Sequence, residues 1–209
     1  MATEATYLAH APKSIALEKA AAVPLAALTA WQGLFEHINL KPEQRILINN
    51  ASGGVGNYAV QLAKWKGAYV IGTSGAENLS FIKSLGADET IDYRKRIASE
   101  LEEKVDAIFN LVAADQNYMN GLLDFINDGG TLISSVVPAN PELAAKRNIR
   151  SSAMWVHPDK EALTEIAGLI DNKTMKINIT QTLSLEKLRE VHELSATGKT
   201  SGKILIQVR

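Results

Sequence analysis

The chain of 209 residues contains no cysteine. Disulfides, thiolate catalysis and cysteine-ligated zinc are therefore excluded, and a reducing compartment is compatible with the composition. An excess of charge of one sign is also missing. Lys and Arg number 22 against 23 Asp and Glu, a formal net charge of −1. That balance gives no broad attraction to nucleic acid or to an anionic membrane, so neither is expected as a partner. No apolar run reaches the roughly 20 residues that a transmembrane helix needs. The start, Met-Ala-Thr-Glu-Ala-Thr, has no basic segment leading into an apolar core. No signal peptide is read there, and a cytoplasmic address is the default expectation. The histidines, His10, His37, His157 and His192, fall at no metal-ligand spacing, and surface or structural roles are expected for them.

What remains is 46% hydrophobic and 22% charged, a globular composition able to bury the core of one α/β domain. Its organising stretch is Ile46–Gly56, Ile-Leu-Ile-Asn-Asn-Ala-Ser-Gly-Gly-Val-Gly. Arg45–Ile48 reads as a short buried strand, and Val55, Ala59, Leu62 and Ala63 then recur at helical spacing. A glycine turn between strand and helix can hold a pyrophosphate. Backbone amides and the positive helix end face the anion, and missing Cβ atoms allow close approach. The pattern is Ala51-x-Gly53-x-x-Gly56, with alanine at the first position of the usual glycine fingerprint. Plain helix–strand packing is the competing explanation, and the strand–turn–helix placement favours a nucleotide.

Upstream, Thr6–Ala9 reads as a short strand and Ser14–Ala22 as a linker or helix start. From Pro24, an apolar stripe of Leu25, Leu28, Trp31, Leu34/Phe35 and Ile38 predicts a helix. Downstream, strands are expected at 68–72, 89–92, 105–112, 131–136 and 149–156. Between them lie helices carrying Leu79, Ile82 and Leu85, then Met119, Leu122, Leu123 and Ile126. Asp159 caps a further helix with Leu163, Ile166, Ala167 and Ile170. This alternation predicts an α/β fold with a doubly wound, parallel, six-stranded Rossmann sheet. Beyond it, 176–180 reads as a strand. Ser184 then caps a helix burying Leu185, Leu188, Val191 and Leu194, and Lys203–Val208 is a last strand. This closing unit is surplus to a six-stranded sheet. Gly198-Lys199-Thr200 mimics the end of a phosphate-binding P-loop, but Glu193 stands where the first glycine should be, so a helix stop is expected.

Several motifs together carry a resemblance. They are Pro24-Leu25-Ala26-Ala27-Leu28-Thr29-Ala30-Trp31-Gln32, Ala51-Ser52-Gly53-Gly54-Val55-Gly56, Ser84-Leu85-Gly86-Ala87-Asp88-Glu89, Ile91-Asp92-Tyr93 and Ser201-Gly202-Lys203-Ile204. The chain resembles the medium-chain dehydrogenase/reductase superfamily in its zinc-independent quinone-oxidoreductase (zeta-crystallin-like) branch, from about Tyr7 to Val208. Relatives begin with a GroES-like substrate domain, and residues 1–22 resemble only its end and the linker. The resemblance assigns 23–180 to the dinucleotide-binding domain. It returns 181–209 to the GroES-like domain, so remnants of that domain accompany the Rossmann sheet. Strand 203–208 is then expected to pair with residues 4–9 or with another chain.

The resemblance implies NADPH-dependent hydride transfer to a quinone or an α,β-unsaturated carbonyl without metal, with NADH not excluded, and a homodimer formed through the sixth strand, 149–156. A dinucleotide-binding module with no turnover of its own is the alternative. Ser52, Gly53, Gly54, Val55 and Gly56 would hold the pyrophosphate. The second strand ends Gly72-Thr73-Ser74-Gly75, without the carboxylate that favours NAD, which leaves room for a 2′-phosphate. By resemblance Thr73, Ser74 and Tyr93 line that end. Glu77 opposes a phosphate, and Arg94 and Lys95 either compensate or form a solvated turn. At the nicotinamide end the resemblance points to Thr29, Val112, Ser134, Val136, Trp155 and Val156, of which Val112, Val136 and Trp155 are equally readable as core. Asn49 and Asn50 replace residues that are commonly His and Gly in relatives, and Asn50 tolerates a left-handed backbone. No general acid, base or nucleophile stands out, and no Tyr-x-x-x-Lys of the short-chain reductases occurs.

Overall fold

The computed structural model describes residues 4–95, 100–198 and 200–208. Six strands, β1 (Arg45–Asn49), β2 (Tyr69–Ser74), β3 (Glu89–Asp92), β4 (Val105–Asn110), β5 (Ile126–Ser134) and β6 (Arg150–Ala153), form one sheet in the order β3-β2-β1-β4-β5-β6. Every neighbouring pair is parallel. This is the doubly wound topology expected from the sequence. The chain leaves β1 toward β3, then returns to place β4 on the other side of β1. The crevice between the carboxyl ends of β1 and β4 is where such sheets receive ligands.

Helices cover both faces because the strands are apolar on both. Ile46 and Ile48 of β1 enter one core with α2 (Pro24–Gln32), α3 (Gly56–Trp65) and α7 (Lys160–Asp171). Leu47 enters a second core with Ile71, Ile108, Leu132 and the buried side of α5 (Gln116–Leu122). The shorter helices are α1 (Leu17–Ala20), α4 (Leu79–Ser84) and α6 (Pro141–Ala145). Asp159 caps α7 as expected, accepting from the Ala162 amide at 2.9 Å.

Several expectations are corrected. Thr6–Ala9 is not a strand: Ala5–Tyr7 forms a single 3-10 turn, and Leu8 is exposed. Leu25 is also exposed, because α2 buries Ala26, Ala27 and Ala30 instead. These small side chains let it lie close on its neighbours. The same helix widens into a π-helical segment over Gly33–Ile38. The fifth strand begins earlier, at Ile126. Val105 pairs with Ile126 while Ala107 pairs with Thr131, so Asn127–Gly130 bulge out of the ladder. The sixth strand is confined to Arg150–Ala153.

The closing unit differs most. Its first strand is β7 (Ile179–Ser184), three residues later than read, and β8 (Lys203–Gln207) pairs with β7 in parallel, not with residues 4–9. Ser184 makes no side-chain cap; a 3-10 turn, Leu185–Lys187, precedes α8 (Leu188–Ala196). The stripe expected to be buried is open: Leu185 and Leu188 are exposed, Val191 and Leu194 half-buried. A two-stranded sheet is too narrow to cover the apolar face of the helix. Of the P-loop-like stretch, Lys199 lies outside the described residues; Gly198 takes a positive φ of 67° after α8, as a helix stop requires.

Candidate functional site

The glycine turn follows from a backbone that must reverse within a few residues. Asn50 adopts φ 59°, and its amide donates to Thr73 Oγ1 at 3.2 Å while the Ala51 amide donates to the Thr73 carbonyl at 2.8 Å. The turn is thereby fastened to β2. A Cβ at Gly56 would stand 2.1 Å from the Asn50 carbonyl oxygen, so only glycine lets α3 start this close to the exit of β1. Ser52 and Ser74, both buried, join hydroxyls at 2.6 Å. The Gly54 and Val55 amides have no acceptor among the described residues. They sit at the positive end of a ten-residue helix, the arrangement that accepts an anion.

Beside the turn, the ends of four strands share an uncharged polar floor. Asn49 Nδ2 donates to Asn110 Oδ1 at 3.1 Å and to the Tyr118 hydroxyl at 3.2 Å, and Thr73 Oγ1 donates to Asn49 Oδ1 at 3.2 Å. Asn110 Nδ2 reaches the Val112 carbonyl at 2.9 Å and Ser134 Oγ at 3.4 Å, and Ser134 Oγ accepts from the Val136 amide at 3.1 Å. Burial pushes the Tyr118 hydroxyl pKa up, only partly countered by the hydrogen bond from Asn49, so the phenol stays protonated. This network holds Val112 and Val136 by their backbones at the crevice. Val136 is exposed there and is not a core side chain.

At the exit of β2 Tyr93 donates its amide to the Ser74 carbonyl at 3.0 Å and leaves its ring exposed. Arg94 is already engaged. Its guanidinium meets the Asp92 carboxylate at 2.8 Å and Glu77 at 3.7 Å, and the hydrogen bonds from Arg94 hold the Asp92 carboxyl below its ordinary range. The Glu77 carboxylate folds over the exit of β2, against Gly75. Lys95 faces Glu100 at 3.5 Å.

The remaining expected residues make other contacts. Thr29 is half-buried in α2 and donates to the Leu25 carbonyl at 2.7 Å. Trp155 is 85% exposed, not core, whereas Val156 packs against the α2–α3–α7 core. Among the described residues no hydrogen bond joins Thr29, Trp155 or Val156 to the polar floor. One turn after Thr29, Gln32 instead clasps the loop beyond β6: its Oε1 accepts from the His157 amide at 3.1 Å, and its Nε2 donates to the His157 carbonyl at 2.9 Å. His157 Nε2 meets Glu36 at 3.1 Å, and that hydrogen bond raises the imidazole pKa. Asn110, Tyr118, Gln32 and Glu36 are the site-forming residues that the sequence reading did not single out. The available signal was a polar residue closing each apolar strand: Asn49 after Ile48, Asn110 after Phe109.

The geometry therefore offers an anion seat beside an uncharged floor that can hold amide and ribose groups. Neither contains a side chain poised for acid–base chemistry. A nicotinamide dinucleotide fits these features: pyrophosphate on the open amides, nucleoside groups along the floor. Among the described residues no group of three His, Cys, Asp or Glu side chains is placed to hold a metal ion.

Comparison with known proteins places the chain among oxidoreductases of a family that uses a nicotinamide dinucleotide. A family profile described as zinc-binding dehydrogenase matches residues 85–206. A chloroplast envelope quinone oxidoreductase homologue from Arabidopsis thaliana is 33% identical over 211 residues, covering 94% of this chain and 64% of its own. An NADPH-dependent alkenal/one oxidoreductase of the same plant is 34% identical over 142 residues, 67% of this chain and 36% of its own. Among solved structures, the quinone oxidoreductase from Coxiella burnetii superposes with a TM-score of 0.86 at 30% identity, covering 94% of this chain and 62% of that one. The chain spans less than two thirds of the length of these relatives. On its sheet topology, its glycine turn and these matches, the chain belongs to the zinc-binding dehydrogenase family, as a quinone-oxidoreductase-like member of the medium-chain dehydrogenase/reductase superfamily.

Proposed function

We propose that this chain binds NADPH and serves in metal-independent reduction of a quinone or another α,β-unsaturated carbonyl. The observation that carries the proposal is the pair of open amides at Gly54 and Val55 beside the uncharged floor of Asn49, Asn110, Tyr118 and Ser134. The bound coenzyme would supply the hydride, and the chain's part is to hold and orient it. The turn takes the pyrophosphate, the floor keeps water from the crevice, and Ser74, Tyr93 and Arg94 receive the 2′-phosphate. Glu77 works against that last contact, which makes NADH the competing coenzyme. The 181–209 unit is assigned to the substrate domain that the relatives carry, and the open stripe of α8 supports that assignment. A cytoplasmic address is proposed on composition; among the described residues no helix is long and apolar enough to cross a membrane.

The same open stripe favours a second reading, a dinucleotide-binding module without turnover. One experiment separates them. NADPH and NADH are titrated calorimetrically, and NADPH oxidation is then followed with a small ortho-quinone. Binding with turnover supports the reductase, binding alone supports the module, and absence of binding overturns both.

A further inference from the structure

We infer that Asn57, in the first turn of α3, is a positioning residue that aims the Gly54 and Val55 amides at a bound pyrophosphate. This rests on the dinucleotide reading above and adds to it the side chain that shapes the anion seat. Asn57 follows Gly56 and is fully buried. Its Nδ2 donates to the Gly53 carbonyl at 2.7 Å and to the Gly54 carbonyl at 3.2 Å. Carbonyls can only accept, so the contacts themselves fix which end of the side-chain amide faces the turn. In a trans peptide the carbonyl and the following N–H point in opposite directions, and no cis bond interrupts the described chain. Drawing the Gly53 carbonyl inward therefore turns the Gly54 amide outward, and drawing the Gly54 carbonyl inward does the same for the Val55 amide. These are the two amides without an acceptor among the described residues. Gly54 and Val55 are half-buried, whereas Gly53 and Gly56 on either side are buried, which agrees with an outward-facing pair.

Two features set Asn57 apart from an ordinary packing residue. Both of its side-chain hydrogen bonds go to the turn, and among the described residues none reaches another element. The tie to the rest of the molecule belongs to Gln61, one helical turn on. Its Nε2 donates to the Lys176 carbonyl at 3.1 Å and its Oε1 accepts from the Lys176 amide at 2.7 Å. The second feature is Asn57 Oδ1, which is buried with no hydrogen-bond partner among the described residues. An unpaired buried oxygen lowers stability, and an apolar side chain of the same shape would carry no such penalty. What Asn57 provides in return is direction. Two successive glycines have no Cβ to restrain their peptide planes, so the turn needs a clamp from outside it.

The test compares wild type, Asn57→Leu and Asn57→Ser. Asn57→Leu keeps the shape of the side chain and removes both donors. Calorimetric titration should show ADP-ribose, NADH and NADPH all weakened by one common factor of about tenfold, because all three carry the pyrophosphate. Adenosine, which carries none, should bind Asn57→Leu and wild type alike in an NMR titration. A serine hydroxyl in a helix donates to the carbonyl three or four residues back, here Gly54 or Gly53. Asn57→Ser should accordingly recover at least part of the affinity that Asn57→Leu loses. An Asn57→Leu protein that melts like wild type and binds ADP-ribose as tightly overturns the inference. So does one that loses adenosine in the same proportion, since the crevice as a whole would then be distorted. Should Asn57→Leu fail to fold, Asn57→Ala is held to the same outcomes. Wild type binding none of ADP-ribose, NADH and NADPH overturns the dinucleotide reading along with this one.

Discussion

At the residue scale the proposed preference for NADPH rests on the charges around one guanidinium. Arg94 follows closely after β3 beside the exit of β2, and Asp92 and Glu77 already share it. Asp92 is bound closely and largely shielded, whereas Glu77 is mostly exposed and can be replaced without disturbing the core. Two unit charges about 4 Å apart in water interact by about 1 kcal/mol, roughly fivefold in affinity. Glu77→Gln should therefore tighten NADPH by about that factor and leave NADH nearly unchanged, while Arg94→Ala should weaken NADPH selectively. Equal changes for both coenzymes in calorimetry would remove these residues from the 2′-phosphate site. Gly56 gives a sterner prediction. Its missing Cβ is required by a backbone oxygen, which cannot swing aside as a side chain would. Gly56→Ala should cost about 1–3 kcal/mol, seen as a lowered Tm, and should remove dinucleotide binding even in the fraction that folds.

At the element scale the loop beyond β6 is fastened to α2 and its π-helical extension by Gln32, Glu36 and His157. The Gln32 bonds are neutral, but the Glu36 bond depends on pH. His157 has its pKa raised in the folded chain, chiefly by the hydrogen bond to Glu36. Its stabilisation is fully present below the unfolded imidazole pKa, about 6.5, and is lost as pH rises through the higher folded value. Glu36→Gln should accordingly lower Tm in mildly acidic buffer and match wild type once His157 is neutral in both. A Tm difference that stays constant across this range would mean the imidazole charge plays no part. The same elements show what the sequence could and could not disclose. The strands β1, β2 and β4 are near-continuous apolar runs bounded by turn residues, so the parallel, doubly wound sheet was legible, as was the glycine turn between β1 and α3. The polar floor was not, because Asn49 meets Asn110 across 61 positions and Tyr118 across 69. Periodicity reports which face a residue occupies, not which distant residue it meets. The stripe of α8 misled for a related reason: an amphipathic pattern states that a helix has an apolar face, without stating that this chain covers it.

At the scale of the whole molecule, the surfaces of the described residues that could meet a second chain include the free edge of β6 and the apolar face of α8. They lead to different assemblies. β6 pairs with β5 on one side only, and on its other side its backbone groups have no strand partner among the described residues. Such an edge invites pairing. An isologous dimer through β6 would extend the six-stranded sheet across two chains and leave the glycine turn of each accessible. The Met154 amide donates inward to the Ser134 carbonyl at 2.9 Å, so by the two-residue period of a strand the Ala153 amide points outward. Ala153→Pro removes that outward donor and spares the ladder to β5. Light scattering should give twice the chain mass of 22.6 kDa for wild type and a single chain for Ala153→Pro, with melting temperature and dinucleotide affinity little changed. If Ala153→Pro stays dimeric while Leu188→Glu becomes monomeric, the assembly runs through α8 instead. A wild-type monomer at high concentration would leave both surfaces without a second copy of this chain.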